Sequence, residues 1–287
     1  MKKRNFDLGY YLVAFLDVQG QRQRFHELRL PKHRAEAAAV SEVLRQTAGF
    51  VLDLRQHFDE QFERFEAGAA SMVRHTLEPV RPRFIGFSDS FVVSVPLRND
   101  SGDLLPIARA FSALSATAFV MQLSLASNHP LRGAIDVGLA TEIGPQEIYG
   151  AALENAYVLE SRQAVYPRIV IGEEFWRYLN VALANFQNQT TPVARALAAI
   201  TEKAMTLVAM DNDGKRILDY LGQTMVQHAG PEGGQKELLV RRAYDFVLAE
   251  QKRILGVKNY KLIPRYEALR RYVESRLSLW GIETKKD

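Results

Sequence analysis

Phe15-Leu16-Asp17-Val18-Gln19-Gly20 and Ile85-Gly86-Phe87-Ser88-Asp89-Ser90-Phe91 are the two stretches on which the fold turns. Each carries one aspartate at the end of an apolar run of strand-forming residues, next to turn-forming ones. Tyr10 to Val18 reads as a buried strand stopped at Gly20, followed by a polar, Arg-bearing loop or short helix from Gln21 to Pro31. Arg83–Phe87 and Phe91–Val95 are two short apolar runs joined by Ser88-Asp89-Ser90, which predicts a tight β-hairpin with Asp89 at its tip.

Working outward, Val40, Val43, Leu44, Val51, Leu54, Phe58, Phe62 and Phe65 recur at helical spacing and predict a long amphipathic helix from about His33 to Glu66. Gly68 to Pro82 contains breakers and reads as a loop. Ile107 to Leu125 reads as a helix, and Leu131 to Leu139 as a strand containing Arg132-Gly133. Gly144-Pro145 breaks the chain before a helix from about Gly150 to Ala164, and Pro167 opens another strand, Arg168 to Ile171. This order predicts an α+β sandwich, one mostly antiparallel sheet with helices packed on a face, over residues 1–180. Residues 181–287 read as a mainly helical extension with a short β element near 207–221, closed by helices at about Lys236–Leu255 and Pro264–Leu279.

Composition narrows the class. A chain of 287 residues that is 47% hydrophobic has ample material for a core. The absence of cysteine removes disulfides, thiolate metal sites and thiolate catalysis, and fits a reducing cytoplasm. The basic start resembles a signal peptide, but Asp17 interrupts the apolar run and no small-residue cleavage site follows. The sequence is expected to hold no segment with the roughly 18 apolar residues of a membrane span. Thirty-seven Lys and Arg against 33 Asp and Glu leave +4, which suits a polyanionic ligand but, with no recognisable nucleic-acid motif beside Arg241-Arg242 and Arg270-Arg271, predicts no nucleic-acid partner. The six histidines show no metal-ligand spacing.

The chemistry points the same way as the pattern. Two hard carboxylates brought together beside turns suit Mg²⁺ or Mn²⁺, ions that keep open positions for phosphate oxygens, and so point to a nucleoside triphosphate. Taken alone, Asp17 is equally a loop residue capping its turn, and an ordinary turn aspartate is the lesser alternative for Asp89; their pairing favours metal binding. Gln19-Gly20-Gln21-Arg22 offers successive amide groups to phosphates, because Gly20 lets the backbone approach closely. Phe15 is a candidate nucleotide contact, although a strand aromatic two residues before Asp17 is more often core. Arg132, Arg162 and Arg168 are candidates for stabilising a leaving pyrophosphate or the transition state, but for any single one of them ordinary pairing with a surface carboxylate is the commoner role.

Strand-Asp, hairpin-Asp and a Gly-led helix in this order resemble the class III nucleotidyl cyclase catalytic domain. With Leu131-Arg132-Gly133-Ala134-Ile135, with Tyr149-Gly150-Ala151-Ala152-Leu153 through Ala156-Tyr157-Val158-Leu159-Glu160, and with Tyr166-Pro167-Arg168-Ile169-Val170-Ile171, the chain is similar to the pyrimidine cyclases of bacterial Pycsar anti-phage systems. Asp211-Asn212-Asp213-Gly214, Asp219-Tyr220-Leu221 and Asn259-Tyr260-Lys261-Leu262 extend the similarity over nearly the whole chain. The resemblance implies two Mn²⁺ or Mg²⁺ ions on Asp17 and Asp89, with the Val18 carbonyl as a further ligand. It also implies a homodimer, UTP or CTP as substrate, and a cyclic nucleotide that activates a partner effector. The position where purine cyclases carry a base-reading Lys is Ile85 here, and a second base-reading position is Glu147; the family's Asn and Arg positions fall on Glu154 and Val158. Loss of the purine readers with both carboxylates kept favours a site rebuilt for another base, UTP first and CTP as the alternative, over a silent nucleotide-binding homologue.

Overall fold

Strand β1 (Leu8–Val18) lies inside an eight-stranded sheet, and eleven residues of strand-forming sequence make it long enough to pair on both sides. The computed structural model describes residues 8–20, 28–73, 80–97, 106–144, 147–228 and 233–285. Along the chain follow α1 (Arg34–Val73), β2 (Arg83–Phe87), β3 (Ser90–Pro96), α2 (Pro106–Ala126), β4 (Leu131–Gly144), β5 (Glu147–Gly150), α3 (Ala151–Gln163) and β6 (Ile169–Ile171). Then come α4 (Glu173–Gln187), α5 (Pro192–Thr206), β7 (Val208–Met210), β8 (Arg216–Leu218), α6 (Gln223–Gln227), α7 (Gly233–Gly256) and α8 (Ile263–Leu277). The strands stand in the order β2-β3-β1-β4-β6-β8-β7, with β5 paired to the outer part of β4. Only β4 with β6 is parallel among the described pairings. The α+β class with a mostly antiparallel sheet is therefore as the sequence predicts.

The two faces of the sheet differ sharply. Because side chains alternate along a strand, Leu12, Ala14, Leu16 and Val18 of β1 point to one face and Tyr11, Val13 and Phe15 to the other. The first face carries the main core, built against α1, α2, α5 and α7. The second holds a small cluster with Val92, Ala140, Ile148, Ala152 and Ala156, roofed by α3. Helix α3 fits there because Ala152 and Ala156, spaced by one turn, present no bulk to the sheet.

Three expectations are corrected. Helix α1 runs through Gly68 to Val73 where a loop was expected, because the buried Ala69 continues the stripe of Phe62 and compensates the cost of a helical glycine, about 1 kcal/mol. The break at Gly144-Pro145 leads into a further strand, β5, before α3, with Pro145 itself outside the described residues. Ile107–Ala126 is, by length and composition, apolar enough to cross a membrane, and it is instead the central buried helix of this fold, α2. Its Ser112, Thr117 and Ser124 bond main-chain carbonyls, which is how polar side chains are tolerated in that interior.

Residues beyond 180 share this core. Strand β8 pairs with β6, so the β7–β8 hairpin extends the sheet. Tyr220, Tyr244, Leu269 and Trp280 are buried in the main cluster. Phe246, Glu250, Arg253 and Tyr266 of α7 and α8 line a small cavity shared with Gly20.

Candidate active site

The register of the sheet brings the two aspartates together. Asp17, at the end of β1, stands opposite Ser90 of β3 on one side and Arg132 of β4 on the other. Ser88 and Asp89 form the two-residue turn between β2 and β3, and the Val18 N–H donates to the Asp89 carbonyl at 3.0 Å. The tip of the hairpin is thus fastened to the end of the central strand. Ser88 holds the left-handed region at φ 59°, unusual for a side chain other than glycine and concentrated at turns and functional sites.

Asp17 shares the face of Phe15, and its carboxylate is held from two sides. Ser90 Oγ donates to Oδ1 at 2.7 Å, and Arg132 Nε donates to Oδ2 at 3.0 Å. The same Nε lies 2.7 Å from Glu160 Oε1 of α3, an ion-pair contact without hydrogen-bond alignment, which leaves that oxygen buried without a hydrogen-bond partner. Glu160 is 4% exposed, and burial pushes its carboxyl above the usual range; Arg132 opposes the shift and Asp17 adds to it. Two carboxylates share one guanidinium, so one negative charge is left over before Asp89 is counted. The terminal nitrogens of Arg132 have no partner among the described residues.

The remaining expected residues fall in distinct places. Phe15 is 6% exposed and meets Tyr157 edge-on at 5.5 Å between ring centroids, inside the cluster under α3. Gly20 is exposed at φ 88°, so glycine serves there by its backbone conformation. The Val18 side chain is buried, leaving only its main chain to face the site. Gln21 lies outside the described residues. Ile85 packs half-buried against the apolar cluster, opposite Val92. Glu154 is on the exposed side of α3, and Val158, one turn on, is half-buried.

Arg162 is exposed near the end of α3. Arg168 belongs to another place. Its guanidinium is buried between Asp211, Asp213 and the Gln163 carbonyl, so it has no freedom to serve the aspartate pair. Ser90 and Glu160 were the residues missed as site members. Glu160 carried a signal: Ala152, Ala156 and Glu160 fall at four-residue spacing on one face of α3, where a carboxylate among alanines needs a cation.

The donor set suits a hard divalent ion. Among the described residues no group of three His, Cys, Asp or Glu could enclose a metal. Two carboxylates with main-chain oxygens are what Mg²⁺ or Mn²⁺ takes when phosphates and water complete its shell. A site for a soft or fully caged ion is therefore not offered by these residues.

Comparisons with known proteins give limited likeness. No family model matches the chain, and no curated protein matches it. Among solved structures, the chain is similar to the catalytic core of a rhodopsin-guanylyl cyclase with converted specificity in complex with ATPalphaS, at 11% identity, covering 60% of this chain and 83% of that one, with a TM-score of 0.38. It is also similar to the monomeric guanylyl cyclase domain of the RhoGC fusion protein from the aquatic fungus Blastocladiella emersonii, at 12% identity, covering 62% of this chain and 90% of that one, with a TM-score of 0.34.

Proposed function

We propose that the protein is a nucleotidyl cyclase that converts UTP to 3′,5′-cyclic UMP and diphosphate. The observation that carries this reading is the fastening of the Asp89 turn to the end of β1 beside Asp17, with apolar Ile85 on the adjoining strand. The motif resemblance over 131–135, 149–160 and 166–171 supports the pyrimidine branch. In the reaction the ribose 3′-oxygen bonds to the α-phosphorus, the bond from that phosphorus to the β-phosphate oxygen breaks, and the 3′-hydroxyl proton is lost to solvent.

Asp17 and Asp89 would hold the divalent ions, Mn²⁺ or Mg²⁺, which when bound lower the pKa of the hydroxyl and neutralise the triphosphate. Ser90 and Arg132 fix the orientation of the Asp17 carboxylate. Gly20 lets the main chain come close to phosphate, and the free end of the Arg132 guanidinium is a donor for the departing pyrophosphate. An apolar Ile85 cannot donate to a purine edge, which favours a base read by other groups.

A homodimer belongs to the proposal. Exposed Leu139, Ile143, Tyr149 and Tyr157, all about the β4–β5 arm and α3, are apolar surface suited to a second copy. The product would act in the cytoplasm on a cyclic-nucleotide-activated effector of anti-phage defence.

Incubation of the purified protein with each of ATP, GTP, CTP and UTP plus Mn²⁺, with products resolved by mass, tests the reading. Cyclic UMP that disappears in Asp89→Ala is the expected result. Cyclic CMP alone would transfer the proposal to CTP. Absence of any cyclic product would overturn it and leave a silent nucleotide-binding protein, the second reading, which Glu154 and Val158 at normally polar catalytic positions favour.

A further inference from the structure

Two stretches without a role in the site above, Asp211-Asn212-Asp213-Gly214 and Asn259-Tyr260-Lys261-Leu262, send Asp211, Asn212 and Asp213 from the first and Lys261 from the second to the lining of one cavity of about 350 Å³. One wall is the β7–β8 turn, closed by the Gly214 N–H on the Asp211 carbonyl at 2.9 Å and by the Lys215 N–H on Asp213 Oδ1 at 3.2 Å. The opposite wall is the first half of α8, where Pro264, Ala268 and Arg271 lie along one stripe at helical spacing, with Lys261 and Arg265 at its head.

The charge of this cavity is unbalanced. Asp211 and Asp213 are already engaged by Arg168, whose guanidinium also lies 4.8 Å over the Tyr166 ring, while the Tyr166 hydroxyl donates to Asp211 at 2.6 Å. Arg168 is 2% exposed and its Nε has no hydrogen-bond partner. Lys261, Arg265 and Arg271 line the same cavity, and none of the three pairs with a carboxylate among the described residues. Four cations therefore face two carboxylates, leaving an excess of two positive charges around a space large enough for a small ligand. Like charges gathered on one helix face repel unless an anion sits between them.

We infer that this cavity is a second ligand site, for a small phosphorylated molecule, a diphosphate group being the class proposed: its roughly two to three negative charges near neutral pH meet the excess of two positive ones, and its two phosphates can reach cations at both the head and the far end of the stripe. Lys261, Arg265 and Arg271 supply charge and donors, buried Arg168 fixes the floor, and Pro264 and Ala268 form an apolar wall against which the body of an organic diphosphate rests. A cavity bounded on both sides favours a small molecule over a nucleic-acid strand, which needs an open groove.

Isothermal titration of the full chain in EDTA tests the inference, with inorganic pyrophosphate in one arm and a nucleoside diphosphate in the other. The chelator removes metal-dependent binding at Asp17 and Asp89. Saturable binding of one ligand per chain, weakened at least tenfold in Lys261→Gln/Arg265→Gln/Arg271→Gln and unchanged in Asp17→Asn, is the expected result. The tighter arm identifies the source of the diphosphate. No binding in either arm, binding untouched by the triple variant, or binding lost in Asp17→Asn would overturn the inference. So would a short RNA that binds through the three cations while both diphosphates fail. Because all three residues are exposed, circular dichroism melting of the triple variant at the parental temperature verifies that the fold is intact.

Discussion

Arg132 serves Asp17 and Glu160 through one nitrogen, and this sharing makes the two carboxylates dependent on it. Among the described residues Arg132 is the cation paired with the buried Glu160, so Arg132→Gln is expected to cost about 1 to 3 kcal/mol in urea unfolding. Glu160→Gln in the same chain removes the stranded charge, so the double variant should recover most of that loss. A double variant no more stable than Arg132→Gln would show that the pair is not coupled. Asp136 gives a second residue-scale expectation. Its carboxylate accepts the Val137 and Phe175 N–H groups from the interior, and burial raises it from 3.8 to about 6.

Between those values the unfolded chain releases the proton while the folded chain keeps it, so this group lowers stability as pH rises from about 4 to 6. The size is on the order of 2 to 3 kcal/mol at neutral pH. Asp136→Asn should cancel that slope, leaving the variant more stable than the parent at pH 8 and similar at pH 4. His228 slopes the other way, because burial depresses it to about 4 and the unfolded chain takes up its proton first. Urea midpoints of the two proteins across pH separate these contributions, since the difference contains only the carboxylate. Asp17 and Asp89 stood out in the sequence as candidates because each ends an apolar run of strand-forming residues, and the register of the sheet brings them close. Ser90 was not, because nothing local shows that a hairpin serine lies across from β1.

At the scale of elements, periodicity revealed the strands and helices that carry strong patterns, and failed where packing overrides a breaker. Gly68 ended α1 on paper, yet buried Ala69 carries the helix on to Val73. The close approach of β4 to β1 was visible only as Arg132-Gly133, with no local reason for the glycine. A methyl group at Gly133 would press on the Phe15 carbonyl and on Leu16, the residue before Asp17. Gly133→Ala is expected to cost about 1 to 3 kcal/mol and to lower cyclase turnover more than nucleotide binding, since it displaces the strand that aims Asp17. Parental turnover in a variant of reduced thermal midpoint would show that β1 yields without moving the carboxylate.

Across the whole molecule, the sequence divided a sheet-bearing half from a helical half, and the structure joins them through β8 and through the packing of α7 on α2. The short β element near 207–221 was legible, but its pairing with β6 was not, because strands of three residues each carry too little pattern to say which neighbour they join. Residues 8–187 alone would leave open the surfaces that Ile200, Leu207, Tyr220, Tyr244 and Leu269 cover. This fragment is expected to aggregate or to bind hydrophobic dyes, and the full chain to melt in one transition by calorimetry. A soluble fragment with native circular dichroism would show that the first half folds alone.

Helix α2, which has the length and composition of a membrane span, also has consequences for biogenesis. It is complete at Ala126, whereas α7, which packs on it, ends at Gly256. Translation therefore proceeds through about 130 further codons, some 6 to 26 s at roughly 5 to 20 residues per second, before its cover is complete. Until then α2 lacks the part of its cover that α7 supplies, and a holdase chaperone that shields apolar segments is expected to raise the yield of native protein.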